Sequence, residues 1–173
     1  MILKIIGSVL IILASCLIGY AFSRDFARRP QELRALQRLL QIFETEISFL
    51  SIIIPDAFEK IGACNDNAVA DFFIETARIL KTDNSLTAGQ AWEKAVGEKS
   101  AKSSLDNEDI NIVLSFGKLL GGSDLEGQIK NIRLTMEKLK IQEEKAEEKR
   151  LKNESMCKSL GLLGGLALAI ILI

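Results

Sequence analysis

The chain has 173 residues, with 48% apolar and 26% charged side chains and a formal net charge of −1. That balance gives no reason to expect nucleic-acid binding, because positive charge is local and sits beside the two apolar ends. There is no histidine. This excludes the commonest general base, the commonest metal ligand and any Ser-His or Cys-His nucleophile pair.

From Ile5 to Phe22 the chain carries no charge. As a helix this run spans about 27 Å, close to the thickness of a bilayer core. Arg24, Arg28, Arg29, Arg34 and Arg38 follow it, against Lys4 and the amino terminus before it. The excess of positive charge then places the residues after Phe22 in the cytoplasm. Leu13-Ala14-Ser15-Cys16 also resembles a lipoprotein signal, with Cys16 as the lipidated residue. Against that reading, the chain stays apolar from Leu17 to Phe22, and the arginine cluster would have to cross the membrane.

The middle of the chain reads as all-α, because helical spacing is frequent and alternation is rare. Leu33, Leu36, Leu40, Phe43, Ile47, Leu50 and Ile54 step by three and four, a heptad seam expected to face the core. Pro55 is expected to stop this helix and to suit the first turn of the next, which carries Ala57, Phe58 and Ile61 and ends at Gly62. Asn65-Asp66-Asn67 reads as a turn. A third helix carries Val69, Phe72, Phe73, Thr76, Ala77 and Leu80, and a fourth runs from about Thr87 to Val96 around Trp92. Gly97 to Ser104 reads as a connection. Asp106 is placed to cap a fifth helix, with Ile110, Val113, Leu114 and Leu120 on its buried side. Gly121-Gly122 ends it, and Asp124 can cap a sixth.

No Gly or Pro occurs between Gln128 and Leu160, so the sixth helix is expected to continue into the second apolar run, Ser159–Ile173. Ile129, Ile132, Met136 and Leu139 give its first half an apolar face. From Glu143 to Glu154 it is almost wholly charged, with Glu147–Arg150, Glu148–Lys152 and Glu154–Lys158 at supporting spacings. That half reads as a solvated stalk rather than a coiled-coil seam. The second apolar run is about 22 Å long as a helix, short for a full span. Lys149, Arg150, Lys152 and Lys158 precede it and again put the middle of the chain in the cytoplasm.

The expected layout is therefore a transmembrane helix over 1–23, a helical bundle of five or six helices over 24–142, a charged extension over 143–158 and a short transmembrane helix over 159–173. The basic residues flanking the membrane are Arg24, Arg28, Arg29, Lys152 and Lys158. Ser15 with Gly19, and Gly161 with Gly165, are spaced for close helix packing in lipid and admit homo-oligomers.

No catalytic, cofactor or metal site is expected. Gly117-Lys118 lacks the first glycine of a phosphate loop, where Ile112 stands, and Gly122 and Gly127 have the spacing but are followed by Gln128 in place of lysine. Asp106, Glu108 and Asp109 cluster where carboxylates serve a helix start without a cation. Cys16, Cys64 and Cys157 show no C-x-x-C spacing, and reduced structural cysteines are expected.

Three stretches carry a likeness to a known family. They are Arg29-Pro30; Leu114-Ser115-Phe116-Gly117-Lys118-Leu119-Leu120-Gly121 with Asp124 and Gln128; and Lys152-Asn153-Glu154-Ser155-Met156-Cys157-Lys158-Ser159-Leu160-Gly161. In these, and in helical order and length, the chain resembles the stage III sporulation protein AB family of endospore-forming bacteria. The resemblance implies a non-enzymatic platform in the channel complex between mother cell and forespore. It implies a domain similar to the cytoplasmic helical domain of the type II secretion platform protein, in the mother-cell membrane facing the forespore. The implied partners are the complex's cytoplasmic secretion-type ATPase and its other membrane subunits. A membrane-tethered regulatory adaptor, or a lipidated surface protein, is the alternative.

Overall fold

The structure is a computed structural model that describes residues 2–49, 53–63, 67–83 and 85–172. Side chains are described over 26–49, 53–63, 67–83 and 85–156, and at Ser159 and Leu163. Among the described residues six α-helices follow in order: α1 (Ile2–Phe49), α2 (Ile54–Ala63), α3 (Ala70–Thr82), α4 (Ala88–Lys99), α5 (Asn107–Gly117) and α6 (Leu125–Leu172). A 3-10 turn over Ser100–Lys102 joins α4 to α5, and no strand occurs among the described residues. Two compact units result: a bundle of residues 31–144, and a terminal unit of residues 1–30 with 145–173.

In the bundle, the seam residues Leu33, Leu36, Leu40, Phe43 and Ile47 are all buried, as the heptad spacing requires. Leu39 joins them. Leu50 lies outside the described residues, as do Asn65 and Asp66 of the expected turn. Pro55 lies in the first turn of α2, and α1 is described to Phe49, five residues before the next helix opens.

Five helices contribute rings to one aromatic cluster. Phe43 of α1 meets Phe58 of α2 with ring centroids 4.8 Å apart, and Phe58 meets Phe73 of α3 at 5.0 Å. Trp92 of α4 lies 5.0 Å from Phe73 and 5.3 Å from Phe116 of α5. These pairs are edge-to-face, where the positive rim of one ring faces the negative face of the next, each adding about 0.5–1.5 kcal/mol beyond area burial. The buried indole N–H donates to the Val113 carbonyl at 2.8 Å, so the cluster holds no orphan donor at Trp92.

α1 and α6 run antiparallel across the bundle. Arg34 pairs with Glu143 at 2.6 Å, and Arg133 pairs with Glu44 at 2.7 Å. The two pairs are ten residues apart on each helix and in opposite order. Gln37 adds a hydrogen bond to Glu143 at 3.0 Å. Burial pushes the Glu143 carboxyl up, but the Arg34 and Gln37 hydrogen bonds outweigh it and the net displacement is downward.

The buried face of α6 differs from expectation. Ile132 and Leu139 are buried, whereas Ile129 and Met136 are half-buried, and Gln128, Asn131, Thr135 and Gln142 share the buried face. Thr135 is tolerated there because its hydroxyl donates to the Asn131 carbonyl at 2.8 Å.

The caps expected from Asp106 and Asp124 are present. Asp106 and Asp109 form a capping box on α5, and Thr87 and Gln90 form one on α4 that those expectations do not include. The acidic cluster at 106–109 is thus engaged with its own helix start. Asp124 accepts from Gly127 N–H at 2.9 Å at the start of α6.

Gly97 does not end α4, as expected from composition. The helix continues to Lys99, held by buried Ala95 and Val96 and by Lys99, which reaches Glu75 of α3 at 3.3 Å. A side chain at Gly97 would meet no atom within 4 Å. Gly97→Ala should therefore raise stability by about 0.5–1 kcal/mol, by helix propensity and a less flexible unfolded chain, in chemical denaturation.

Glu75 is nearly buried and carries the Arg78 and Lys99 contacts. Its hydrogen bond from Arg78, with Lys99 assisting, holds its carboxyl below the ordinary range against the opposing effect of burial. A lowered folded pKa contributes stability above the unfolded value of about 4.3, lost as pH falls through the folded value. Glu75→Gln should accordingly be the less stable protein at neutral pH. The gap between the two should close in denaturation curves taken at successively lower pH in the acid range.

In the terminal unit α1 passes through Pro30 without ending, and Pro30 is buried. Ala146 is only 3% exposed, so the charged stretch of α6 is not solvated all round as expected. Arg150 pairs with Glu147 at 2.7 Å and with Glu154 at 2.8 Å. Partly exposed pairs of this kind contribute a few tenths of a kcal/mol each. The apolar runs from Ile5 to Phe22 and Ser159 to Ile173 fall on helical residues whose side chains, apart from Ser159 and Leu163, are outside the described set. Among the described residues no helix is long and apolar enough to cross a membrane.

Candidate interaction surface

The corner between α5 and α6 is built residue by residue from the stretch that runs from Leu114 to Gln128. Phe116 enters the aromatic cluster. Gly117 lies against the indole: a Cβ there would fall 2.3 Å from Trp92 Cδ1. Leu120 is buried. Gly121 has φ of 74°, a left-handed conformation that only glycine adopts without strain, and it turns the chain after α5.

Two buried polar side chains of α6 then secure the corner. Gln128 Nε2 donates to the Leu119 carbonyl at 2.9 Å and to Ser123 Oγ at 3.0 Å. Asn131 Nδ2 donates to the Phe116 carbonyl at 3.1 Å. The Phe116 and Leu119 carbonyls each accept a long backbone N–H at 3.4 Å at and after the end of α5, and these amides add a shorter bond to each. Gln128 and Asn131 are buried for this reason, which hydropathy does not register.

Beside this corner, α4 and α5 approach so closely that a Cβ on Gly89 would lie 2.6 Å from the Gly117 carbonyl oxygen. Their outer sides form a groove of about 510 Å³, lined by Gln90, Glu93, Asn111, Leu114, Ser115 and Lys118. The groove holds hydrogen-bonding groups and one charge of each sign. It has no nucleophile set against a base, and no group of three metal-ligating side chains occurs among the described residues.

The same end of the bundle exposes large apolar side chains: Phe49 (83%), Ile53 (65%), Leu119 (53%) and Leu125 (49%). The sequence carries a signal for the first two. The run Phe49-Leu50-Ser51-Ile52-Ile53-Ile54 is apolar at five of six positions, more than one helix face can bury.

The residues expected to act in the membrane are not brought together as a described site. Ser15, Gly19, Gly161, Gly165, Arg24 and Lys158 have side chains outside the described set. Arg28 and Lys152 are exposed and Arg29 is half-buried, all in the terminal unit.

The profile of the family described as stage III sporulation protein AB matches residues 4–173. The chain belongs to the stage III sporulation protein AB family. Stage III sporulation protein AB of Bacillus subtilis (strain 168) is 31% identical to it over 170 residues, covering 98% of this chain and 99% of that protein. A solved structure of stage III sporulation protein AB superposes with a TM-score of 0.68 at 27% identity. It covers 72% of this chain and 98% of that one. In the stretch from Leu114 to Gly121 with Asp124 and Gln128, Phe116, Gly117 and Leu120 pack, Gly121 turns the chain, and Asp124 and Gln128 hydrogen-bond to the corner, while Ser115, Lys118 and Leu119 are exposed.

Proposed function

We propose that this chain is a non-enzymatic membrane platform of the sporulation channel complex between mother cell and forespore. It couples a cytoplasmic secretion-type ATPase to the complex's membrane subunits. The observation that carries this reading is the continuity of the two long helices. α1 and α6 each comprise 48 residues and run without interruption between the bundle and the apolar termini. Each helix contributes residues to both the bundle and the terminal unit, so the two are joined by continuous helical backbone. Family membership over nearly the whole chain supports the assignment to sporulation.

In this reading the apolar ends lie in the mother-cell membrane facing the forespore, and the bundle is cytoplasmic. Arg24, Arg28, Arg29, Lys152 and Lys158 sit at the headgroup level, and Ser15, Gly19, Gly161 and Gly165 pack against helices in lipid. Reporters fused after Leu80 and at the carboxyl terminus should give cytoplasmic and external signals respectively. Digestion of the bundle from outside intact cells would overturn the topology. Site-directed crosslinking in sporulating cells should capture the ATPase, and persistent failure to do so would remove that partner.

A further inference from the structure

Along α6 the charge changes sign shortly before the second apolar run. Residues 143–148 hold four glutamates and one lysine, whereas residues 149–173 hold Lys149, Arg150, Lys152 and Lys158 against Glu154 alone. Glu154 is already committed, because Arg150 pairs with it at 2.8 Å and with Glu147 at 2.7 Å. Lys149 and Lys152 are exposed, and neither makes an ion pair among the described residues.

Lys149, Lys152, Met156, Ser159 and Leu163 step by three and four, so they share one face of the helix. All of them are exposed, Met156 by 51% and Leu163 by 61%. The face therefore passes from two ammonium groups to a thioether and a leucine, and it leads into the apolar run. Lys149 and Lys152 are about 4.5 Å apart along the axis, and Met156 follows about 6 Å after Lys152. The headgroup layer of one leaflet is roughly 5–8 Å deep, so it takes both lysines, with Met156 at its inner edge. The sequence of α1 gives the same order in reverse: apolar to Phe22, then Arg24, Arg28 and Arg29 against Asp25.

Chemistry selects the occupant. The phosphate of a zwitterionic lipid is neutralised by its own amine, whereas an anionic lipid leaves its phosphate to the lysines. An acidic protein segment would match the lysines but not the apolar half of the face. Two copies in one membrane run parallel, so the same face would set Lys149 and Lys152 against themselves.

We propose that this face of α6 binds anionic phospholipid, with Lys149 and Lys152 on the phosphate and Met156 and Leu163 along the acyl chain. The inference rests on the membrane reading of the apolar ends and adds to it a requirement for lipid charge.

The test reconstitutes the full chain into nanodiscs of equal phosphatidylcholine and phosphatidylglycerol. The protein is then released into mild detergent, and the lipids that stay bound are counted by native mass spectrometry. Phosphatidylglycerol should be retained in excess. Lys149→Gln combined with Lys152→Gln should cut that excess by about fivefold or more. Lys149→Arg with Lys152→Arg should keep it, because charge is what acts. Lys130→Gln with Lys138→Gln, at two exposed positions of the bundle, should keep it as well. Unchanged Trp92 fluorescence across the set shows the fold intact. Equal retention of the two lipids overturns the proposal, leaves the membrane reading standing and returns the lysines to an acidic protein segment. An excess that survives in the Lys149 and Lys152 glutamine variant, or falls equally in the bundle variant, overturns the assignment to this face. A chain that stays outside the nanodiscs removes the membrane reading and the proposal together.

Discussion

Trp92→Ala is expected to cost the bundle about 3–5 kcal/mol. The indole touches Phe58, Phe72, Phe73 and Phe116, so its removal opens a cavity shared by four helices. The surrounding rings are spread over three helices and cannot collapse into the space independently. The hydrogen bond to the Val113 carbonyl is lost as well, a further contribution of about 1 kcal/mol. Domains of this size are stable by about 5–15 kcal/mol, so about a quarter or more of the total is at stake. Far-UV circular dichroism during denaturation of the full chain in mild detergent measures it. A shift corresponding to less than about 1 kcal/mol would show that the cluster repacks.

Gly89→Ala is the second large effect, and its sign is the reverse of Gly97→Ala on the same helix. Alanine is the better helix former by about 1 kcal/mol, and at Gly97 nothing opposes that gain. At Gly89 the new methyl would stand 2.6 Å from the backbone oxygen of Gly117. No side-chain rotation relieves that contact, so α4 and α5 must separate, at about 1–3 kcal/mol or more from overpacking. The net expectation is a loss of up to about 2 kcal/mol after the propensity gain is set against it. Trp92, the only tryptophan, lies against Gly117 and reports the separation as a change in its fluorescence. A Gly89→Ala protein as stable as the parent, with unaltered emission, would contradict the close approach.

Features governed by local chemistry were legible in the sequence. The seam from Leu33 to Ile47 follows from its spacing, and the starts of α4, α5 and α6 follow from Thr87, Asp106 and Asp124. The unbroken course of α6 follows from the lack of Gly and Pro after Gln128. What was not legible depends on partners distant in the chain. Gln128 and Asn131 look like surface residues until the end of α5 presents carbonyls to them. Gly97 looks like a helix end until Lys99 is seen to reach Glu75. Ala146 looks like a lone methyl in a charged stretch, yet it is buried. The exposure of Leu119 and Leu125 is likewise set by the fold and not by local chemistry.

The two long helices also differ in stiffness. Pro30 removes one backbone hydrogen bond from α1 and crowds the preceding turn, which makes that point the soft joint of the helix. Between Gln128 and Leu160, α6 has neither Pro nor Gly and keeps its backbone ladder throughout. The two helices therefore differ locally: α1 loses one rung of its backbone ladder at Pro30, and α6 has no such gap between Gln128 and Leu160.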